Sequence, residues 1–280
     1  GYVTQHDTAE DVARAIEKGW RKEQKDSIAK SALRTVLDNI ELARDKSQPM
    51  CQDTGTIICY ADLPAWCDEA TFKRAYEKAV VQATKVGYLR QNSVDSITGR
   101  NSGNNLGPGN PAFHLHQTRA KSLTVRMMLK GGGCENVGAQ YSLPDASLGA
   151  GRDLAGVRAC ILDAVVKAQG KGCGPGILGV CVGGDRGSGY LASKEEFFRM
   201  LDDENEDPRL RRLEKQMVKE ANSLGIGPMG FGGKTTLLGC KITHRNRVPA
   251  SFFVSVSYMC WAFRRDGCQL SASGKVTRWL

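Results

Sequence analysis

Apolar residues recur at Leu33, Val36, Leu37 and Ile40, the i, i+3, i+4, i+7 spacing that lines one face of an α-helix. Thr8 followed by Asp11 resembles a capping box and predicts an earlier helix. The helical pattern stops near Ser47-Gln48-Pro49, where proline restricts the residue before it. A polar loop, Cys51-Gln52-Asp53-Thr54-Gly55, leads into an apolar run over 56–60, and residues 70–89 read as another helix. Gly, Asn and Pro make 91–117 loop-like. Leu123, Val125, Met127 and Leu129 then alternate as in a strand, which runs into Lys130-Gly131-Gly132-Gly133-Cys134-Glu135-Asn136.

Further along, Leu154, Val157, Ile161 and Val165 predict a helix over 153–168. The tight loop Cys173-Gly174-Pro175-Gly176 precedes a buried strand over 177–182. Ser193 with Glu196 predicts a helix start, with Phe197 and Leu201 on one face. Pro208 opens the next helix, striped by Leu210, Leu213, Met217, Ala221 and Leu224. Strands follow over 235–242 and through Phe252, Val254, Val256 and Tyr258. The pattern predicts a mixed α/β fold: a helical region over 1–48, then a core over 49–280 of short-stranded sheets covered by helices, in one compact domain.

Composition narrows the class. Among 280 residues 41% are hydrophobic and 25% charged, which excludes wholesale disorder and a coiled coil. No apolar run approaches the ~18 residues of a membrane span. The first thirty residues are polar and lack the apolar core of a secretory signal, so a cytoplasmic location is expected. The net charge of +9 comes from scattered Lys and Arg without interleaved aromatics, so a solvated basic surface is favoured over a nucleic-acid groove. Glycine is abundant, 32 residues, and concentrated after residue 99, which points to loops where backbone approaches something closely.

Ten cysteines in a chain without a secretory signal do not predict disulfides, and no C-x-x-C pair marks a zinc or thioredoxin-like site. Cys59, Cys160, Cys181 and Cys240 sit within apolar elements and read as core residues. Cys51, Cys173 and Cys260 instead sit at element edges, in or beside polar or glycine-rich turns. They are either three converging ligands or ordinary small apolar residues. His114 and His116 fit one polar strand face better than a metal site, and His6 and His244 have no informative context. The run 227–233 before Lys234-Thr235 departs from the phosphate-loop spacing, since Pro228 stands where that motif needs glycine. Arg264-Arg265 fits either a substrate-facing or a surface pair.

Five segments in order carry a more specific signal: Cys51-Gln52-Asp53-Thr54-Gly55, Lys130-Gly131-Gly132-Gly133-Cys134-Glu135-Asn136, Cys173 before Gly174-Pro175, the stretch 224–233, and Met259-Cys260-Trp261-Ala262-Phe263-Arg264-Arg265. Together they resemble the α part of the class I fumarate hydratase and tartrate dehydratase family, over about residues 33–268. The resemblance implies a hydro-lyase with a [4Fe–4S] cluster held by Cys51, Cys173 and Cys260. Three thiolates leave one iron open as a Lewis acid toward a 2-hydroxy diacid. It further implies that Gln52, Asp53, Arg90 and Gly133 lie beside the substrate, with Asp53 accepting from its hydroxyl or helping to move protons. Asp53 as a plain turn residue and Arg90 as a surface arginine are the alternatives.

Two departures from the family pattern stand out. Cys134 occupies a position where many single-chain members have serine, and it reads as a non-ligand thiol. Gly172-Cys173-Gly174-Pro175 replaces Ala-Cys-Pro-Pro. The family's second portion is missing here, which implies a separate β subunit completing the pocket, in an α2β2 assembly. The expected reaction is reversible hydration of fumarate to malate. The alternatives are L(+)-tartrate dehydration to oxaloacetate, or a non-catalytic iron–sulfur redox or sensor module.

Overall fold

The computed structural model describes residues 8–278. His6 lies outside them. In chain order the elements are α1 (Glu10–Lys22), α2 (Ile28–Lys46), β1 (Thr56–Leu63), α3 (Glu69–Lys85), β2 (Ala112–Gln117), β3 (Ser122–Lys130), α4 (Gly132–Asn136) and β4 (Ala139–Ser142). There follow α5 (Leu154–Ala168), β5 (Gly176–Gly183), α6 (Arg186–Glu195), α7 (Pro208–Ser223), β6 (Leu237–Arg245), β7 (Phe253–Met259), β8 (Arg264–Ser271) and β9 (Val276–Arg278). The mixed α/β class expected from the sequence holds, with two mixed sheets. No described helix is long and apolar enough to cross a membrane.

The described chain divides into two compact units. The first comprises 8–9, 39–132 and 262–278, and the second 10–38 and 133–261, so one division falls inside α2. The first unit holds a five-stranded sheet in the order β2-β1-β3-β8-β9. Only the β1–β2 pair is parallel. Strand alternation puts Ile57, Cys59, Ala61 and Leu63 of β1 on the same face as Leu123 and Leu129 of β3. Phe72, Tyr76 and Val80, one stripe of α3, pack on that face. Asp68 starts α3 by accepting from the Thr71 N–H at 2.9 Å.

The second unit is built on the sheet β4-β7-β5-β6, with only β5–β6 parallel. Leu178, Val180, Val254, Val256 and Tyr258 face a core completed by Val157, Ile161 and Val165 of α5 and Leu210, Leu213 and Met217 of α7. The predicted stripes of α5 and α7 are thus the buried ones, except that Leu154 and Leu224 are exposed.

Both predicted capping boxes fail for a physical reason. The Thr8 hydroxyl donates to the Phe263 carbonyl at 2.8 Å, and the Asp11 carboxylate accepts from the Leu201 N–H at 2.8 Å. Ser193 lies inside α6 and bonds back to the Tyr190 carbonyl at 2.7 Å. The actual start is eight residues upstream, where Asp185 accepts from the N–H groups of Gly187 and Ser188. Phe197 sits in a single 3-10 turn beyond α6. The loop-like 91–117 ends in the strand β2, and the Arg264-Arg265 pair is buried within β8 rather than on the surface.

Candidate functional site

In the first unit the polar loop after Cys51 is fastened from three sides. Asp53 Oδ1 accepts from the Gly55 N–H at 3.0 Å, and Oδ2 accepts from the Gly132 N–H at 2.7 Å. The carboxylate therefore ties the entry of β1 to the glycine run that leaves β3. Gly55 has φ +82°, and a Cβ there would meet the Lys130 backbone at 2.8 Å, so only glycine fits this close crossing. Lys130 itself is fully buried.

Arg90 is the third fastening. Its Nη1 donates to the Gln52 carbonyl at 3.0 Å, and its backbone N–H donates to Thr54 Oγ1 at 3.2 Å. With its amide oxygen turned inward, Asn92 accepts from the N–H groups of Thr54 and Gly55, each at 3.2 Å, and from the Thr54 hydroxyl at 2.9 Å. Asn105, 2% exposed, donates to the Arg90 carbonyl at 2.6 Å and to Thr84 Oγ1 at 2.9 Å. Its Oδ1 accepts from the Asn92 N–H at 2.7 Å. Gln52, Asp53 and Arg90, separated by up to 38 residues in sequence, thus share one hydrogen-bonded loop pair. The guanidinium of Arg90 and the side chain of Gln52 stay exposed.

In the second unit, Gly172 and Gly174, the two neighbours of Cys173, lie against the Tyr258 side chain, and Cys260 follows Tyr258 by two residues. Burial and then the thiols of Cys134, Cys260 and Cys173 push the Tyr258 hydroxyl well above its usual range. Cys134 Sγ accepts from the Cys260 N–H at 3.2 Å and lies 4.0 Å from the Gly172 carbonyl. Cys173 adopts φ +56° in its glycine-rich loop. Next to Cys134, Glu135 pairs with Lys194, whose ammonium also lies over the Tyr190 ring, 5.5 Å from its centroid.

All ten cysteines are free thiols. Burial pushes Cys59 up to about 12, and Cys160 and Cys181 each up to about 11, and it raises Cys240 as well, which disfavours the thiolate a metal needs. These four are the cysteines that the sequence assigns to the core. The three at element edges differ: Cys51 is half-buried, Cys173 exposed and Cys260 buried. As a donor set, three thiols outside the apolar interior of strands and helices suit an iron–sulfur cluster, whose thiolates bind separate irons. Among the described residues no three His, Cys, Asp or Glu side chains converge as ligands of one metal ion. His114 stacks on Tyr60 with centroids 4.6 Å apart, and His116 is exposed.

Other features fall away from this chemistry. A cavity of about 570 Å³ in the first unit is lined by α3, β3 and β8 and includes none of the candidate residues. The Lys234 N–H donates to both carboxylate oxygens of Glu23, at 2.9 and 3.0 Å, an acidic partner unsuited to a phosphate. Arg264 and Arg265 are 2% and 5% exposed. Arg264 Nε donates to the Ala262 carbonyl at 3.1 Å, and the Arg265 guanidinium lies over Phe263. Tyr258, Asn92 and Asn105 had no signal in the sequence beyond the Gly172, Gly174, Gly176 spacing, a pattern that fits backbone lying on a large ring.

Comparison with known proteins agrees with this arrangement of motifs. The family model described as fumarate hydratase (Fumerase) matches residues 2–269. A putative class I fumarate hydratase of Geobacillus stearothermophilus is 50% identical over 274 residues, covering 96% of this chain and 53% of that protein. A putative L(+)-tartrate dehydratase subunit alpha of Methanocaldococcus jannaschii is 29% identical over 272 residues, covering 95% of this chain and 93% of that protein. The L(+)-tartrate dehydratase subunit alpha of Escherichia coli (strain UTI89 / UPEC) is 27% identical over 252 residues, covering 88% and 80%. The chain therefore spans about half the length of the first relative and most of the other two.

Proposed function

Because the chain belongs to the fumarate hydratase (Fumerase) family, we propose that it is the α part of a hydro-lyase that adds water reversibly to fumarate, giving (S)-malate. The observation that carries this reading is the joining of Gln52, Asp53 and Arg90 in one hydrogen-bonded loop pair directly after Cys51. Cys51, Cys173 and Cys260 would hold a [4Fe–4S] cluster. When bound, such a cluster supplies an iron without a protein ligand, a Lewis acid for a substrate oxygen.

The chain's own residues then bind and orient the diacid. Arg90 presents a planar fork suited to a carboxylate, and its bond to the Gln52 carbonyl restricts the directions in which the fork points. Asp53 is steadied by two backbone N–H groups, and its remaining lone pairs accept from a substrate hydroxyl or take up a proton. The Gly132 N–H is already used by Asp53, so Gly133 is the position of the glycine run proposed to face substrate. A separate β subunit would complete the pocket in an α2β2 enzyme of the cytoplasm.

L(+)-tartrate dehydration to oxaloacetate is a second reading. It is favoured by the near full-length match to a protein named as a tartrate dehydratase α subunit. A redox module without catalysis would need no carboxylate-binding groups. The deciding experiment is anaerobic reconstitution of the chain with a β partner, assayed with fumarate and with both tartrate enantiomers. Fumarate consumption that disappears in Cys173→Ala supports the proposal. Full activity in that variant, or a reduced cluster with no response to malate, overturns it.

A further inference from the structure

The loop that carries Cys173 has glycine at every second position, Gly172, Gly174 and Gly176, and all three face one side chain. A Cβ on Gly172 would lie 2.5 Å from Tyr258 Cε1, and one on Gly176 would lie 2.2 Å from Cζ. A Cβ on Gly174 would lie 3.2 Å from the Tyr258 hydroxyl. Unbonded carbon atoms rest at about 3.5–4.0 Å, so the first two positions admit no side chain while the ring is there. The backbone of 172–176 is in effect laid on the phenol ring.

Cys173, the one residue with a side chain among the first three of this run, is held at φ +56°, a region that residues with a Cβ seldom adopt. The ring beneath it is well fixed. Tyr258 is 3% exposed, sits in β7, and packs in the core formed with α5 and α7. Cys260 follows two residues later, with its N–H bonded to Cys134 Sγ.

We propose that Tyr258 is a positioning residue for the cluster's thiol donors: its ring is the surface on which the Cys173 loop is shaped, and it fixes Cys173 relative to Cys260. The inference rests on the reading of Cys173 and Cys260 as ligands. It concerns a residue that touches neither substrate nor reacting atoms.

The test uses the full chain prepared anaerobically, with and without reconstitution by iron and sulfide. Tyr258→Phe keeps the ring and should retain wild-type iron per chain and an unchanged spectrum of the reduced cluster. Tyr258→Leu should lower iron per chain several-fold. In the cluster-free protein it should also speed amide hydrogen exchange over 172–176 by about tenfold, as expected when a local opening becomes easier. Tyr141→Leu, a change to another buried tyrosine of the same core, should destabilise the fold while keeping iron uptake.

If Tyr258→Leu does not fold, Gly174→Ala decides. It sets a methyl against the hydroxyl and should reduce iron uptake, and adding Tyr258→Phe should restore it. Unchanged exchange and iron in Tyr258→Leu, loss of iron in Tyr258→Phe, or no restoration in the double variant would overturn the proposal. If the wild-type chain takes up no iron, the ligand reading fails. The exchange measurement on cluster-free protein still decides whether the ring shapes the loop.

Discussion

Asp53 Oδ2 accepts a hydrogen bond from the Gly132 N–H at 2.7 Å, across 79 residues of sequence. The loop after Cys51 and the turn after β3 are thereby one structural piece. In Asp53→Asn one oxygen is replaced by an NH2 that faces a backbone N–H. The variant should lose about 1–3 kcal/mol of stability in urea unfolding, the cost of an unsatisfied donor at a formerly charged acceptor. Turnover should fall with it. A variant as stable as wild type would mean that the carboxylate does not fasten the loop.

Gly55→Ala tests the crossing with Lys130. The new Cβ would sit 2.8 Å from the Lys130 backbone at a φ of +82°. Both the clash and the left-handed conformation oppose it, so a loss above about 1 kcal/mol is expected. Denaturation midpoints at equal m-value are the measurement.

Arg90→Lys separates charge from shape. Lysine keeps the positive charge but not the planar fork that reaches the Gln52 carbonyl. Steady-state kinetics should show KM for the diacid raised about tenfold, the equivalent of one charged hydrogen bond. An unchanged KM would remove Arg90 from the substrate site.

Buried and edge cysteines should part company in iron analysis. Cys240→Ala deletes a thiol that burial holds protonated and should leave iron per chain unchanged. Its cost is about 1 kcal/mol of stability, near that of a lost methylene. Cys173→Ala should remove the iron with little effect on stability, since Cys173 is exposed. Equal iron loss in both variants would contradict the assignment.

An acid-sensitive network lies in the second unit. Arg199 bonds Glu196, Asp203 and Glu214, and Lys241 bonds Asp203. Burial alone would raise the Asp203 carboxyl, but hydrogen bonds from Arg199 and Lys241 outweigh it and hold it below its usual range. A carboxyl lower in the folded than in the unfolded state stabilises fully above the unfolded value of about 4, and that stability drains away as pH falls through the folded value. Urea midpoints should therefore drop on acidification below about pH 4. In Asp203→Asn that acid limb should be shallower, and an identical limb would show that Asp203 is not responsible.

Periodic elements were readable from the sequence because burial repeats with the element. The stripe of α2, the alternation of β3 and β7, and the Pro208 start of α7 all carry their own signal. Ser193-x-x-Glu196 misled because a serine inside a helix can bond back to its own backbone, while the real start was hidden in glycines at 183–189. β8 was missed because buried arginines in a strand break the rule that charge marks surface. At the site, motif order named Gln52, Asp53, Arg90 and the three cysteines. The supports they rest on come from far along the chain: Asn105 reaches Arg90 from 15 residues away, Asn92 reaches Thr54 from 38, and the Tyr258 ring lies 85 residues from Cys173, farther than local pattern can report.

The seam through Thr84, Asn105, Asn92 and Thr54 has a consequence for how the molecule yields. Amides and hydroxyls, unlike the greasy contacts beneath α3, have a ready substitute in water once a gap opens. Warming should therefore let solvent unzip this stretch and free the Arg90 guanidinium while the strands behind it stay intact, so that the grip on an anion fades some degrees before the fold melts.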